Sequence, residues 1–274
     1  MDDERDQAAL DWQVGVWDRM SGIYVREVDR RFAPVVDRVV ARADLIAGQR
    51  VLDLGTGTGA VAERSAALVG PTGRVVGVDI SEEMLALAQR RVKVRCLENV
   101  KFHVGRAESL PAEDATFDAV LASLSLMFVL NRAAAAREIA RVLRPGGRFV
   151  GAVWAGPDEC DIVRFQQIAG GFAPAPPVPG VGPGALADAK PFLAQLAANG
   201  VRAQIETEVF GFDFDDFESA WEVLAGVTAA QLAPQRQREA KEAVLAAMYP
   251  NGAGPRHFRN LTQFIIGELP SAPG

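Results

Sequence analysis

The sequence predicts an α/β protein built on a doubly wound, Rossmann-like sheet, and three observations carry that reading. From Arg50 onward, short apolar runs alternate with amphipathic stretches, the texture of repeated βαβ units. The run Val51-Leu52-Asp53-Leu54-Gly55-Thr56-Gly57-Thr58-Gly59 places three glycines where the first strand must turn into a helix. Asp79 ends the next apolar run, about 20 residues beyond the glycines.

Taken in order, Leu10, Val14, Trp17, Met20 and Tyr24 fall at helical spacings, and Phe32, Val35, Val36, Val39 and Val40 repeat the pattern around Pro34. Two or three helices therefore precede the first strand. Strands are expected over 50–54, 74–79, 100–104, 117–122 and 147–153. Helices are expected over 60–69, over 82–91 with Ser81 as cap and two glutamates in the first turn, and over 133–143. Pro145-Gly146-Gly147 is expected to stop the last of these and lead into the fifth strand.

Beyond Trp154 come a helical pattern over 158–169, an aperiodic Gly- and Pro-rich stretch over 170–184, and a helix over 188–199 that ends at Gly200. Strands over 203–210 and 258–267 enclose helical candidates at 217–224 and 234–248, an insertion before the last strand. No internal repeat is visible.

The composition is that of a folded globular chain: 274 residues, 49% hydrophobic and 23% charged. A net charge of -6 disfavours a nucleic-acid partner, which is held by clustered cations. The basic run Arg90-Arg91-Val92-Lys93-Val94-Arg95 reads as a solvated helix face. The acidic start Met1-Asp2-Asp3-Glu4-Arg5-Asp6 lacks the order of a secretory signal, and no segment approaches the roughly 20 apolar residues that span a bilayer. Cys96 and Cys160 form no framework and read as reduced thiols. A cytoplasmic protein without stable membrane insertion is the expectation, with a homodimer left open.

A glycine turn between strand and helix lets a ligand approach bare backbone, beside the unpaired N–H groups of the helix start. Asp79 at the next strand end can accept hydrogen bonds from both hydroxyls of a ribose. Together they describe a nucleoside-cofactor pocket. Gly55, Gly57 and Ala60 also satisfy a dinucleotide fingerprint, so an NAD(P)-dependent oxidoreductase is a competing reading. Asp53 argues against it: a carboxylate at the turn would repel a pyrophosphate and favour an ammonium or sulfonium cation.

With the glycine turn, four further segments complete a set: Val76-Gly77-Val78-Asp79-Ile80-Ser81, Gly105-Arg106-Ala107-Glu108-Ser109-Leu110-Pro111, Phe117-Asp118-Ala119-Val120, and Arg141-Val142-Leu143-Arg144-Pro145-Gly146-Gly147. In kind, order and spacing the set resembles the motifs of class I S-adenosylmethionine-dependent methyltransferases, small-molecule enzymes like those of ubiquinone and menaquinone biosynthesis. The resemblance implies a seven-stranded sheet with an antiparallel last strand, and S-adenosylmethionine as cofactor with S-adenosylhomocysteine as product. It implies one domain: an N-terminal helical lid over 1–47, a cofactor-binding core over 48–155, and substrate-side helices and C-terminal strands over 156–274. It also implies site residues. Asp53, Gly55, Thr56, Gly57 and Gly59 would hold the methionine end, and Asp79 the ribose. Ile80 and Met84 would flank the adenine, Ala107 would offer it a backbone N–H, and Ser123 would lie near the sulfonium. Arg106 stands where relatives carry an aspartate for the adenine amine, and having donors only it cannot accept from that amine; Glu108 or solvent is the expected substitute.

Methyl transfer needs positioning and water exclusion more than a fixed catalytic residue, so none is assigned. His103 reads as structural, on an expected strand near a sheet edge. His257, after the turn at 251–255, is the candidate to deprotonate or orient a small-molecule acceptor. Trp17 and Tyr24 are candidate lid residues over the pocket, and Trp154, beyond the fifth strand, a candidate acceptor-pocket wall. No metal-ligand spacing is recognisable. The expected activity is O-, N- or C-methylation of a small molecule in secondary metabolism. A methyltransferase fold used for cyclisation or binding is the alternative from another class.

Overall fold

A computed structural model describes the backbone of residues 2–227, 229 and 231–271, with side chains from Gln7 onward and Val227 excepted. The side chains of the acidic start thus lie outside the described residues. The strands are β1 (Arg50–Leu54), β2 (Arg74–Asp79), β3 (Val100–Val104), β4 (Phe117–Ser123), β5 (Leu143–Trp154), β6 (Arg202–Phe214) and β7 (Arg256–Glu268). They form one sheet in the order β3-β2-β1-β4-β5-β7-β6. The first five run parallel, and β7 is antiparallel to both β5 and β6.

The order follows from burial. In β1 every residue after Arg50 is buried, and β4 carries the apolar run Ala119–Ala122, so both suit the middle of a sheet covered on two faces. The edge strand β3 leaves Lys101, His103 and Val104 exposed. At its far end β6 buries Phe210, Phe212 and Phe214 at every second position, the signature of a strand with one covered face. Chain order reverses between β1 and β4, which opens a crevice at their carboxyl ends, where α/β sheets receive ligands.

The helices are α1 (Asp2–Ile23), α2 (Asp29–Arg42), α3 (Ala60–Val69), α4 (Glu82–Val94), α5 (Arg132–Val142), α6 (Asp161–Gly170), α7 (Lys190–Ala198), α8 (Phe217–Leu224) and α9 (Pro234–Met248). Ser81 caps α4 by accepting from Met84 N at 3.1 Å, Asn131 caps α5 through Ala134 N, and Asp216 with Ser219 forms a capping box on α8. Among the described residues no helix is long and apolar enough to cross a membrane.

Three local expectations are corrected. The two or three helices expected before the first strand are not separate: α1 and α2 are one helical run joined by a π-helical turn at Tyr24–Val28, and Pro34 lies inside α2. Nor does Pro145-Gly146-Gly147 separate helix from strand. The helix ends at Val142, Leu143 already pairs with Phe117, and the Pro-Gly-Gly becomes an irregularity inside β5 where the register shifts. The basic run is not merely solvated, because Arg91 pairs with Asp29 and Glu63, and Arg95 with Glu63.

Candidate functional site

The turn after β1 is left-handed at Gly55 (φ 69°), Gly57 (φ 51°) and Gly59 (φ 81°), which only glycine adopts without strain. A Cβ on Gly55 would come within 2.4 Å of Ser125 Cβ, whereas one on Gly57 would project into open space. The turn is tied to β2, since Gly55 N and Thr56 N both donate to Val78 O. Asp79 accepts from Gly57 N at 2.8 Å and from Ser81 N at 3.0 Å. These bonds leave lone pairs on its carboxylate. Burial raises the Asp79 carboxyl, and its backbone N–H partners oppose that rise.

Asp53 is placed differently from the expectation. Its carboxylate is buried beneath the turn, where Oδ2 accepts from Thr56 Oγ1 at 2.6 Å and Ala62 N at 3.0 Å. It braces the first turn of α3 from behind instead of facing the crevice. Burial pushes its carboxyl up to about 7, with the charge of Asp79 adding and the two hydrogen bonds opposing.

A cavity opens at the carboxyl ends of β1, β2 and β4, with about 110 Å³ of water-accessible interior. The turn side contributes Gly55, Gly57, Asp79, Ile80 and Met84; the facing wall contributes Ala107, Glu108 and Ser123. Asp53, Thr56 and Gly59 lie outside the lining and build the turn's back. The Ser123 hydroxyl is buried without a partner. Glu108 accepts from Leu130 N and Asn131 N through Oε1, and Arg106 Nε stands 3.6 Å from its Oε2. The pairing of Arg106 with Glu108 thus keeps the basic substitution close to charge balance.

The helical run before β1 covers this cavity, with Trp17 and Tyr24 in its lining. Ser81 Oγ donates to Asp18 at 2.6 Å, Thr58 Oγ1 donates to Asp29 at 2.7 Å, and Arg91 donates to Asp29. Asp18 and Asp29 therefore latch the covering helices onto α4 and the glycine turn. Sequence reasoning missed Gln13, Ser125 and Phe128 in the lining. Gln13 had a signal: a polar residue on the buried stripe of Ala9, Val16 and Met20. Ser125 and Phe128 lie in the irregular stretch after β4, which carries no periodicity.

Trp17 and Phe128 meet edge-on with ring centroids 4.8 Å apart. With Tyr24 and Leu124 they also wall a second, apolar cavity, completed by Phe32, Met127, Trp154 and others. Trp154 therefore belongs to this neighbouring cavity and not to the first. His257 reaches neither. Its Nδ1 lies 2.7 Å from Asp213 Oδ1, its ring sits over Gly211, and both partners are exposed on the β6–β7 ribbon. The β6–β7 pairing runs past the end of β5, carrying His257 away from the crevice.

Residues 51–147 match a family described as methyltransferase domain. Over 104 residues the chain is 41% identical to the ubiquinone/menaquinone biosynthesis C-methyltransferase UbiE of Escherichia coli O1:K1 / APEC. That match takes in 38% of this chain and 41% of the relative, so the chain spans about two fifths of the length of the curated relatives it matches. The fold is similar to the YcgJ protein of Bacillus subtilis, with a TM-score of 0.63 at 24% identity over 86% of this chain and 98% of that one. It is also similar to the [4+2]-cyclase SpnF, with a TM-score of 0.58 at 24% identity over 88% of this chain and 81% of that one.

The cavity fits S-adenosylmethionine on its own terms. It offers the open space at Gly57, a carboxylate on Asp79 with unused lone pairs, and the orphaned Ser123 hydroxyl. Over residues 51–147 the chain is thus similar to the methyltransferase-domain family, and the sheet around that segment has the fold of the solved structures it resembles.

Proposed function

We propose that the chain transfers a methyl group from S-adenosylmethionine to a small-molecule acceptor seated in the apolar cavity beyond Trp17 and Phe128. The observation that carries this reading is the shared wall: Trp17, Tyr24, Leu124 and Phe128 border both the acidic cofactor cavity and the apolar one. Two sites of opposite chemistry, one aromatic layer apart, suit a cationic methyl donor and an apolar acceptor. In this reading the chain is one domain, with the N-terminal helices over 1–47 as lid, the core over 48–155 holding the cofactor, and 156–274 completing the acceptor side.

S-adenosylmethionine, when bound, supplies an electrophilic methyl group on a sulfonium. The residues of the chain position and desolvate. Asp79 takes the ribose hydroxyls, the backbone at Gly55 and Gly57 receives the amino-acid end, Ile80 and Met84 pack on the adenine, and Ser123 offers its hydroxyl. Trp17, Tyr24 and Phe128 exclude water from the line between the two cavities.

Among the described residues lining the apolar cavity, Tyr24 is the only titratable group. Burial and the charges of Asp29 and Asp79 push its hydroxyl far above the usual range, so it stays protonated at neutral pH. The chain therefore presents no base at that wall, which favours an acceptor nucleophilic in its own right. An electron-rich carbon meets that requirement, in line with the C-methylation in the relative's name.

The test has two arms. Calorimetry should show S-adenosylhomocysteine binding, and incubation with labelled methyl donor and a panel of electron-rich aromatic metabolites should transfer label. Binding of NAD(H) without S-adenosylhomocysteine would overturn the reading. Cofactor binding with no transfer to any acceptor would favour a cyclase or binding role, which the same fold hosts.

A further inference from the structure

Among the described residues lining the apolar cavity, Gln166 carries a buried side-chain acceptor that the fold leaves without a partner. Gln166, on α6, lines the cavity and is 7% exposed. Its Nε2 donates to Leu224 O at 3.2 Å, which fixes the amide orientation, because a carbonyl can only accept. Oε1 is left buried with no hydrogen-bond partner. An unmet buried acceptor is destabilising, and native structures keep one where something else completes it. The cavity's other walls include Phe32, Met127, Trp154, Ile162 and Val223, none of which carries a charge. An ionised ligand would meet no countercharge there, and its desolvation would go uncompensated.

Resting on the methyltransferase reading, we propose that Gln166 determines acceptor specificity: the acceptor is an uncharged, largely apolar molecule whose single hydroxyl or N–H group donates to Gln166 Oε1. The cavity has about 50 Å³ of water-accessible interior, and a neighbouring cavity of about 150 Å³ meets the same Trp17–Phe128 pair under the Pro-rich loop. Entry therefore runs from that loop past Trp17 and Phe128. The unbranched side chains of Met20 and Met127 give way around the ligand. Gln166 is a positioning residue: it orients the acceptor and takes no part in the transfer.

Phenol, toluene and benzoate serve as probes, being alike in shape and differing in a donor, its absence, and a charge. Binding is read by calorimetry, with the protein saturated by S-adenosylhomocysteine and the affinity of that cofactor measured separately by the same method. Phenol should bind about tenfold more tightly than toluene, as one net hydrogen bond allows, and benzoate should bind least. In Gln166→Leu the phenol-to-toluene ratio should fall towards one with S-adenosylhomocysteine affinity unchanged, and Gln166→Met serves if the leucine variant folds poorly. Equal binding of phenol and toluene to the wild type, a preference that survives in the variants, benzoate binding as well as phenol, or no binding of any probe would overturn the proposal and leave the cofactor reading intact. Failure of the wild type to bind S-adenosylhomocysteine would overturn the methyltransferase reading, and this proposal with it.

Discussion

At the scale of single residues, Asp53 shows how position inside a motif decides a side chain's work. Its carboxylate faces Thr56 and Ala62 beneath the turn, and burial holds its proton up to about pH 7, above the ordinary carboxylate value of 3.8. The folded chain therefore keeps a proton that the unfolded chain releases. The contribution of Asp53 to stability is complete below the unfolded value and is lost as pH rises through about 7. Asp53→Asn, neutral throughout, should lack that slope, so in urea titrations of the cofactor-free protein the stability of the D53N variant relative to wild type should rise between those two values and level above them. Gly55 gives a steric counterpart. Gly55→Ala meets Ser125 Cβ at 2.4 Å and a left-handed backbone together, and should cost about 2–3 kcal/mol in the same measurement.

At the scale of elements, the cofactor cavity is closed by side chains that join the N-terminal helices to the core. Asp29 receives both Thr58 and Arg91, so it links α2 to the glycine turn and to α4. Asp29→Ala should leave the sheet folded while α1 and α2 exchange amide protons faster. Release of S-adenosylhomocysteine should accelerate several-fold, since a lid opens in proportion to the contacts that hold it. Hydrogen exchange and stopped-flow displacement check the two halves of that expectation. By contrast, the β6–β7 ribbon carries His257 on its solvent face, paired with Asp213. His257→Ala should leave cofactor affinity unchanged and alter stability by less than about 1 kcal/mol, because exposed ion pairs contribute little. The edge strand β6 is shielded by Arg38 and Arg42 of α2, which pair with Glu206 and Glu208.

At the scale of the whole molecule, one continuous core joins the sheet to helices before and after it. An aromatic cluster of Phe32, Trp154 and Phe212, with centroids 5.4–6.3 Å apart, connects α2, β5 and β6. Ligand binding at the sheet crevice should therefore stabilise the molecule as a unit. Saturation with S-adenosylhomocysteine at about a hundred times its dissociation constant adds about 2.7 kcal/mol. Thermal unfolding should shift upward by about 5–10 °C in a single transition for a chain of this size.

The strands and the helices α3, α8 and α9 were legible in the sequence because each has its own local cause: a glycine turn, a cap, a proline start, or a period of apolar residues. The cofactor turn was legible for the same reason, as Gly55, Gly57 and Asp79 are close in sequence and their constraints are local. The sequence by itself determined the sheet, the glycine turn and the chemistry that turn suits. Only the tertiary structure decided that Asp53 lies behind the turn, that Trp154 belongs to a second cavity, and that His257 stands away from both. Those outcomes depend on which surfaces meet across the fold. That is fixed by the packing of segments far apart in the chain, such as Trp17 against Phe128 and Gln166 against Leu224, and no local pattern encodes it.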